Sequence, residues 1–318
     1  MKFSEFAGMD AKMEQLMRSA QAGRIVHALL FSGPRGTGKR SMARLFAQAV
    51  LCASPGERPC GVCPACKKCL NDAHPDVHII APEKNTIKVD QIRELTEALS
   101  LTSYEGGMKI AIIERADCMN ESAQNALLKT LESPTGDTLF FLLTDAPGTL
   151  LPTIISRCLQ VRFRCLEVED CARLLAQRGV EAQRAALLAA LAQGSMGRAL
   201  EIDADGEYLP LRERVIDALE ELDGPGGVAH VTAKIGDVKG REEAVLEILE
   251  GWARDLMRVQ NGADPLDMGN RTRLVASRYR GSALLQHVML VRQQLKSNLS
   301  WVNALESMDF ALANESDR

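Results

Sequence analysis

Through the first 163 residues, short continuous apolar runs alternate with segments whose apolar residues recur at helical spacing. Five runs read as buried strands: Ile25-Val26-His27-Ala28-Leu29-Leu30-Phe31, Val77-His78-Ile79-Ile80, Lys109-Ile110-Ala111-Ile112-Ile113, Leu139-Phe140-Phe141-Leu142-Leu143-Thr144, and Leu159 to Phe163. Between them, three groups each share one helix face: Met42, Leu45, Phe46, Ala49 and Val50; Val89, Ile92, Leu95 and Leu99; Ala123, Ala126, Leu127, Thr130 and Leu131. Asn120 stands where a side-chain cap would open the last of these helices. Residues 1–23 read as a short helical approach to the first strand. The alternation predicts an α/β fold, a parallel sheet covered by helices on both faces.

From about residue 166 the pattern is helical throughout, interrupted at Gly194-Ser195-Met196-Gly197-Arg198. Beyond Asp205 it predicts helices over Leu211–Leu222, Ala244–Val259 and Ser282–Met308, separated by Gly224-Pro225-Gly226-Gly227 and by Asn261 to Asn270. No internal repeat and no low-complexity tract interrupts the chain.

Composition narrows the class. At 318 residues the chain has room for two or three domains. A net charge of −4 and a pI near 5.9 announce no nucleic-acid binder, although local basic clusters could contact phosphates. Residues 1–23 carry Glu5, Asp10 and Glu14 without an apolar stretch, unlike a signal peptide, and no run of 18 apolar residues suggests a membrane span. Nine cysteines in such a chain point to reduced thiols or bound metal, and the expected compartment is the cytoplasm.

The most specific stretch is Gly33-Pro34-Arg35-Gly36-Thr37-Gly38-Lys39-Arg40, between the first strand and the first helix. Glycines there let backbone N–H groups converge on an anion, and the helix N-terminus adds a favourable potential. Gly33, Gly36, Thr37 and Gly38 would cradle phosphate, and Lys39 stands where a P-loop lysine reaches the outer phosphates. The next position should carry the hydroxyl that holds Mg²⁺. It is Arg40, with Ser41 one place late. The loop is therefore complete for phosphate and defective for metal; the plainer alternative is an ordinary glycine turn.

Cys52, Cys60, Cys63 and Cys66 provide two C-x2-C steps with a shared middle cysteine, plus a thiol from a helix end. Four thiolates close a tetrahedral Zn²⁺ site of the structural kind. Cys69, at another x2 spacing, could replace Cys66, and a set of free surface thiols is the plainer reading. His74 is near the loop in sequence but is expected only to mark the turn into the second strand. His27 could touch a base, with a packed or hydrogen-bonded histidine as the expected outcome.

The third strand ends in Glu114-Arg115-Ala116-Asp117. A P-loop ATPase needs there an acid that organises Mg²⁺ and then a glutamate that activates water. Glu114 can fill the first role, but Arg115 cannot accept a proton and Asp117 would have to reach back. Thr144, at the C-terminal end of the fourth strand, is expected at the ligand-facing edge, pointing toward the phosphates. Arg157 in Ser156-Arg157-Cys158 would alone be read as a surface arginine.

Taken together, several stretches resemble the AAA+ subunits of bacterial clamp loaders. They are His27 to Lys39, the cysteine loop, Asn125-Ala126-Leu127-Leu128-Lys129-Thr130-Leu131-Glu132, Ile155-Ser156-Arg157-Cys158, and Ser297-Asn298-Leu299-Ser300-Trp301-Val302-Asn303-Ala304-Leu305-Glu306. The resemblance spans nearly the whole chain. It implies a RecA-like AAA+ P-loop domain over 1–165 with a zinc module at 52–69, a small helical lid over 166–205, and an all-α collar over 206–318 that assembles into a ring. Motor members keep Ser or Thr after the lysine and Asp-Glu at the strand end, so Arg40 and Glu114-Arg115 resemble the family's stator type. The lid arginine of the family falls at Gly197 here, with Arg198 one place on. The resemblance implies that Arg157 is an arginine finger reaching a neighbour's ATP, with gamma/tau and delta subunits, a sliding clamp and primer-template DNA as partners of the assembled complex. It also implies a structural Zn²⁺, with ATP or ADP bound but not hydrolysed. Two other functions compete: an active gamma/tau-type ATPase using Asp117 and Ser41, and a zinc-dependent DNA-binding protein with a vestigial P-loop.

Overall fold

The computed structural model describes residues 15, 16, 18, 19, 26–222 and 224–316. Most of the helical approach expected over 1–23, and Ile25 of the first strand, lie outside the described residues. The chain divides into two compact units. One comprises Met1–Leu166 with Ser195–Gly197, and the other Glu167–Gly194 with Arg198–Arg318.

In chain order the first unit contains β1 (Ala28–Ser32), α1 (Lys39–Leu51), α2 (Pro64–Leu70), β2 (Val77–Ile80), α3 (Val89–Ser100), β3 (Lys109–Ile113), α4 (Glu121–Glu132), β4 (Thr138–Thr144), α5 (Pro152–Ile155) and β5 (Leu159–Arg162). The strands form one parallel sheet in the order β2-β3-β4-β1-β5. Successive side chains of a strand point to opposite faces, which is why these runs are apolar throughout. Leu29 and Phe31 of β1 pack with Met42, Leu45 and Phe46 of α1, and Ala28 and Leu30 pack with Ile92, Leu95, Leu127 and Leu131 on the other face. Phe31 meets Phe141 edge to face, with ring centroids 5.4 Å apart. Truncating such a ring to alanine costs about 3–5 kcal/mol. Asn120 caps α4 as expected, its side chain accepting the Ala123 N–H at 2.8 Å.

β1 begins later than the apolar run predicts. His27 still accepts the Phe140 N–H through its carbonyl at 2.8 Å, but its side chain is exposed rather than packed. β1 lies between β4 and β5, with Ser32 opposite both Thr144 and Arg162. The loop that follows β1 thus leaves the sheet from its interior, at the C-terminal edge where α/β sheets bind ligands.

The remaining helices are α6 (Val168–Gln177), α7 (Ala182–Leu191), α8 (Met196–Ala204), α9 (Tyr208–Glu220), α10 (Gly224–Ile235), α11 (Glu242–Gln260), α12 (Arg271–Ala276), α13 (Gly281–Lys296) and α14 (Trp301–Ser316). Within the second unit α6 packs on α7, α11 on α13, and α10 on α14. Two expectations need correction. Gly224-Pro225-Gly226-Gly227 is not a separator but the first turn of α10, where proline's fixed φ is tolerated. The apolar pattern over 282–308 is broken into α13 and α14 because Asn298 adopts a left-handed φ of 63° and the Leu299 N–H returns to the Gln294 carbonyl. Among the described residues, no helix is long and apolar enough to cross a membrane.

Candidate nucleotide, metal and arginine sites

The glycine-rich loop runs from β1 into α1 with Gly38 at the helix N-cap, at a left-handed φ of 88°. The Gly33 N–H donates to the Thr144 carbonyl at 3.2 Å, and the Thr37 hydroxyl donates to the Pro34 carbonyl at 2.8 Å. Lys39 is buried and already bonded. Its ammonium donates to the carbonyls of Gly33 and Pro34 at 2.7 and 2.8 Å and pairs with Asp145 at 2.7 Å. Residues 195–197 lie on the same loop: the Ser195 hydroxyl donates to the Arg35 carbonyl, and the Gly197 N–H to the Gly36 carbonyl, each at 2.8 Å. A Cβ at position 197 would stand 2.7 Å from the Gly36 Cα. A side chain at position 197 would therefore collide with the backbone of the glycine-rich loop as it stands.

Arg40 does not fold over the phosphate position. Its Nε lies 2.5 Å from Glu114 Oε1, so the two altered positions of the metal site pair with each other. Burial pushes the Glu114 carboxyl above its ordinary range, against the opposing pull of Arg40 and Arg44. Ser41, one residue further along α1, is turned about 100° from position 40 around the helix axis. Arg115 turns away through a left-handed φ of 50° and donates to the Asn85 side chain at 3.2 Å. Asp117 accepts the Thr144 hydroxyl at 2.9 Å and the Asp145 N–H at 3.3 Å. Thr144 is fully buried at the strand end, its hydroxyl spent on Asp117. Arg198 lies in the second unit, 5.3 Å over the Tyr208 ring, bonded to Glu201 and Glu247.

The cysteine loop is organised differently. Cys52 caps the C-terminus of α1, and Cys63 caps the N-terminus of α2 with Pro64 at its first position. The sulfur atoms of Cys52, Cys60, Cys63 and Cys66 lie within 4.8 Å of one another. Tetrahedral thiolate coordination of Zn²⁺ places sulfurs about 3.8 Å apart, and the Cys52 and Cys63 sulfurs are separated by 3.9 Å. The N–H groups of Cys60, Cys63 and Cys66 donate to the sulfurs of Cys52, Cys60 and Cys63 in turn, each at 3.4 Å. Burial raises the Cys63 thiol, but N–H bonds from Cys66 and Ala53 and the neighbouring thiols outweigh it and bring the pKa to about 6. N–H bonds from Val62 and Cys63 lower that of Cys60. Burial pushes Cys69, outside the cluster, up to about 12. The four cysteines could hold a metal ion, and the donor set suits zinc. His74 is buried elsewhere, with its Nε2 3.3 Å from Glu105 and its Nδ1 accepting the Asp76 N–H.

Arg157 follows α5 and keeps about a third of its side chain exposed. Its Nη1 donates to the Thr153 carbonyl at 2.9 Å, and its Nη2 pairs with Glu132 at 2.5 Å. The acid partners Asp145 and Glu132 were missed by sequence reasoning. Each is an ordinary surface-type acid far along the chain from its cation, with no spacing to announce the pair.

A family model described as "DNA polymerase III, delta subunit" matches residues 8–167. The DNA polymerase III subunit delta′ of Bacillus subtilis (strain 168) is 34% identical over 293 residues, covering 90% of this chain and 86% of its own length. That of Escherichia coli (strain K12) is 35% identical over 295 residues, covering 89% and 87%. The Escherichia coli DNA polymerase III subunit tau is 33% identical over 244 residues, covering 73% of this chain but 38% of its own.

Proposed function

The chain belongs to the DNA polymerase III delta′ family, and from that premise we propose that it is the stator of a replicative clamp loader. In this reading it holds one structural Zn²⁺ through Cys52, Cys60, Cys63 and Cys66, turns over no ATP itself, and extends Arg157 to the ATP of a neighbouring gamma/tau subunit. Its partners are the gamma/tau and delta subunits, the sliding clamp, and primer-template DNA reached through the assembled complex.

The observation that carries this reading is the Arg40–Glu114 ion pair. An acid that should organise Mg²⁺ is neutralised by a guanidinium of its own chain, which accepts no proton and binds no metal. The alternative base, Asp117, is already an acceptor for Thr144 and Asp145, which counts against an active motor. The N-terminus of α1 still offers first-turn N–H groups to phosphate. ADP or ATP would bind there only by drawing Lys39 away from Asp145, and without hydrolysis.

A guanidinium fits the trans role because its planar fork meets two phosphate oxygens and stays charged at any working pH. The test is to rebuild the loader with Arg157→Ala and measure clamp- and DNA-stimulated ATPase alongside clamp loading. Losing a finger slows hydrolysis at one site by on the order of a thousandfold or more. Total ATPase should fall in part and loading further, with zinc content, thermal stability and assembly retained. Unchanged rates in both assays, with assembly verified, would overturn the proposal.

A further inference from the structure

Arg157 is not a free arm. Its Nη1 is anchored on the carbonyl of Thr153, the second residue of α5, and its Nη2 is held by Glu132 at the end of α4. A guanidinium presents two double-donor edges, one made of Nε and Nη2 and the other of Nη1 and Nη2. Nη2 is common to both. A carboxylate on Nη2 therefore sets a negative charge beside either edge that could meet a phosphate pair, and like charges so close repel. About half of the Glu132 side chain and a third of that of Arg157 remain in solvent. The pair is thus weak enough to be exchanged for a stronger anion.

We propose that Glu132 is a positioning residue for Arg157: it holds the guanidinium in place at α5 and competes with the neighbour's phosphates for it, so that the arginine engages only when polyphosphate displaces the carboxylate. This rests on the reading of Arg157 as a finger. The pair restrains the arginine without burying it, and the Thr153 bond keeps the side chain anchored when Glu132 lets go.

Removing the competitor should make the finger easier to engage. An exposed ion pair of this kind alters an equilibrium between about 1.5- and 5-fold, so Glu132→Ala should raise kcat/KM of the loader's stimulated ATPase by a factor in that range. Glu132→Gln, whose amide oxygen can still accept a hydrogen bond, should give a smaller rise. Loss of a merely structural contact would lower activity instead, so the direction of the change separates the two roles. The experiment uses the rebuilt loader with Glu132→Ala, Glu132→Gln, Arg157→Ala and the Glu132→Ala/Arg157→Ala double variant, with assembly and thermal stability checked for each. A rise that disappears in the Arg157→Ala background supports the inference. Unchanged or lowered kcat/KM in both Glu132 variants, with Arg157→Ala still impaired, would overturn the inference and leave the finger standing. A rise that persists without Arg157 would overturn it as well. If Arg157→Ala itself has no effect, the finger is gone and Glu132 has nothing to restrain.

Discussion

In the glycine-rich loop, two of the motif's three cations are already matched by acids of the same chain: Lys39 by Asp145 and Arg40 by Glu114. In the cysteine loop, four sulfur atoms face one another; those of Cys52, Cys60 and Cys63 accept weak N–H bonds from the turns between them, and the Cys66 thiol donates weakly to the Gln48 carbonyl. A nucleotide entering the loop must exchange one charge partner for another, and the net gain is small. A metal ion entering the cysteine cluster replaces contacts worth little with four strong bonds. The comparison teaches that a motif complete in sequence becomes a site only where the fold leaves its donors without better partners.

The largest effect should come from removing the region that depends on its ligand. Cys63→Ser should lose about one metal ion per chain and destabilise the first unit by on the order of several kcal/mol. Metal analysis and thermal unfolding read both, with Cys69→Ser expected to keep full metal. Metal retained in Cys66→Ser and lost in Cys69→Ser would break the assignment.

Asp309, buried in α14 of the second unit, sharpens the comparison with an acid that belongs to neither loop. Among the described residues, neither of its buried carboxylate oxygens has a hydrogen-bond partner. Burial, reinforced by the charge of Glu306, raises its pKa to about 8. A folded-state pKa above the unfolded value near 3.9 means a contribution that is complete below the unfolded value and lost as pH rises through about 8. Asp309→Asn should therefore match the wild type near the low end of that window and exceed it above pH 8, by on the order of a few kcal/mol. Parallel pH profiles of unfolding for the two chains would contradict this.

A smaller effect should follow from breaking the loop's internal neutrality. Arg40→Ser frees Glu114 and supplies the hydroxyl that a P-loop uses to hold Mg²⁺. Calorimetry should then show ADP affinity rising about tenfold on adding Mg²⁺, roughly 1.4 kcal/mol, while the unaltered chain shows little response. The same small response in the variant would mean that the Arg40–Glu114 pair does not close the metal position.

Much of this was legible in the sequence because it is local. The five strands, the helix faces around Met42, Ile92 and Leu127, the Asn120 cap, and the four clustered thiols all lie in short windows of fixed period or spacing. Three kinds of feature were not. The split between α13 and α14 hangs on Asn298 accepting a left-handed backbone inside a continuing apolar pattern. The start of α10 hides in residues that usually mark turns. The ion pairs that decide the character of the nucleotide loop and of Arg157 join residues brought together by the sheet order, which no local pattern encodes.

The central claim is that the loop is matched from within and does no chemistry of its own. ATP turnover by the isolated, zinc-loaded chain, measured beside Lys39→Ala, tests it most directly. No turnover above the Lys39→Ala background is the predicted result. Turnover that survives further purification and vanishes in Lys39→Ala would contradict it.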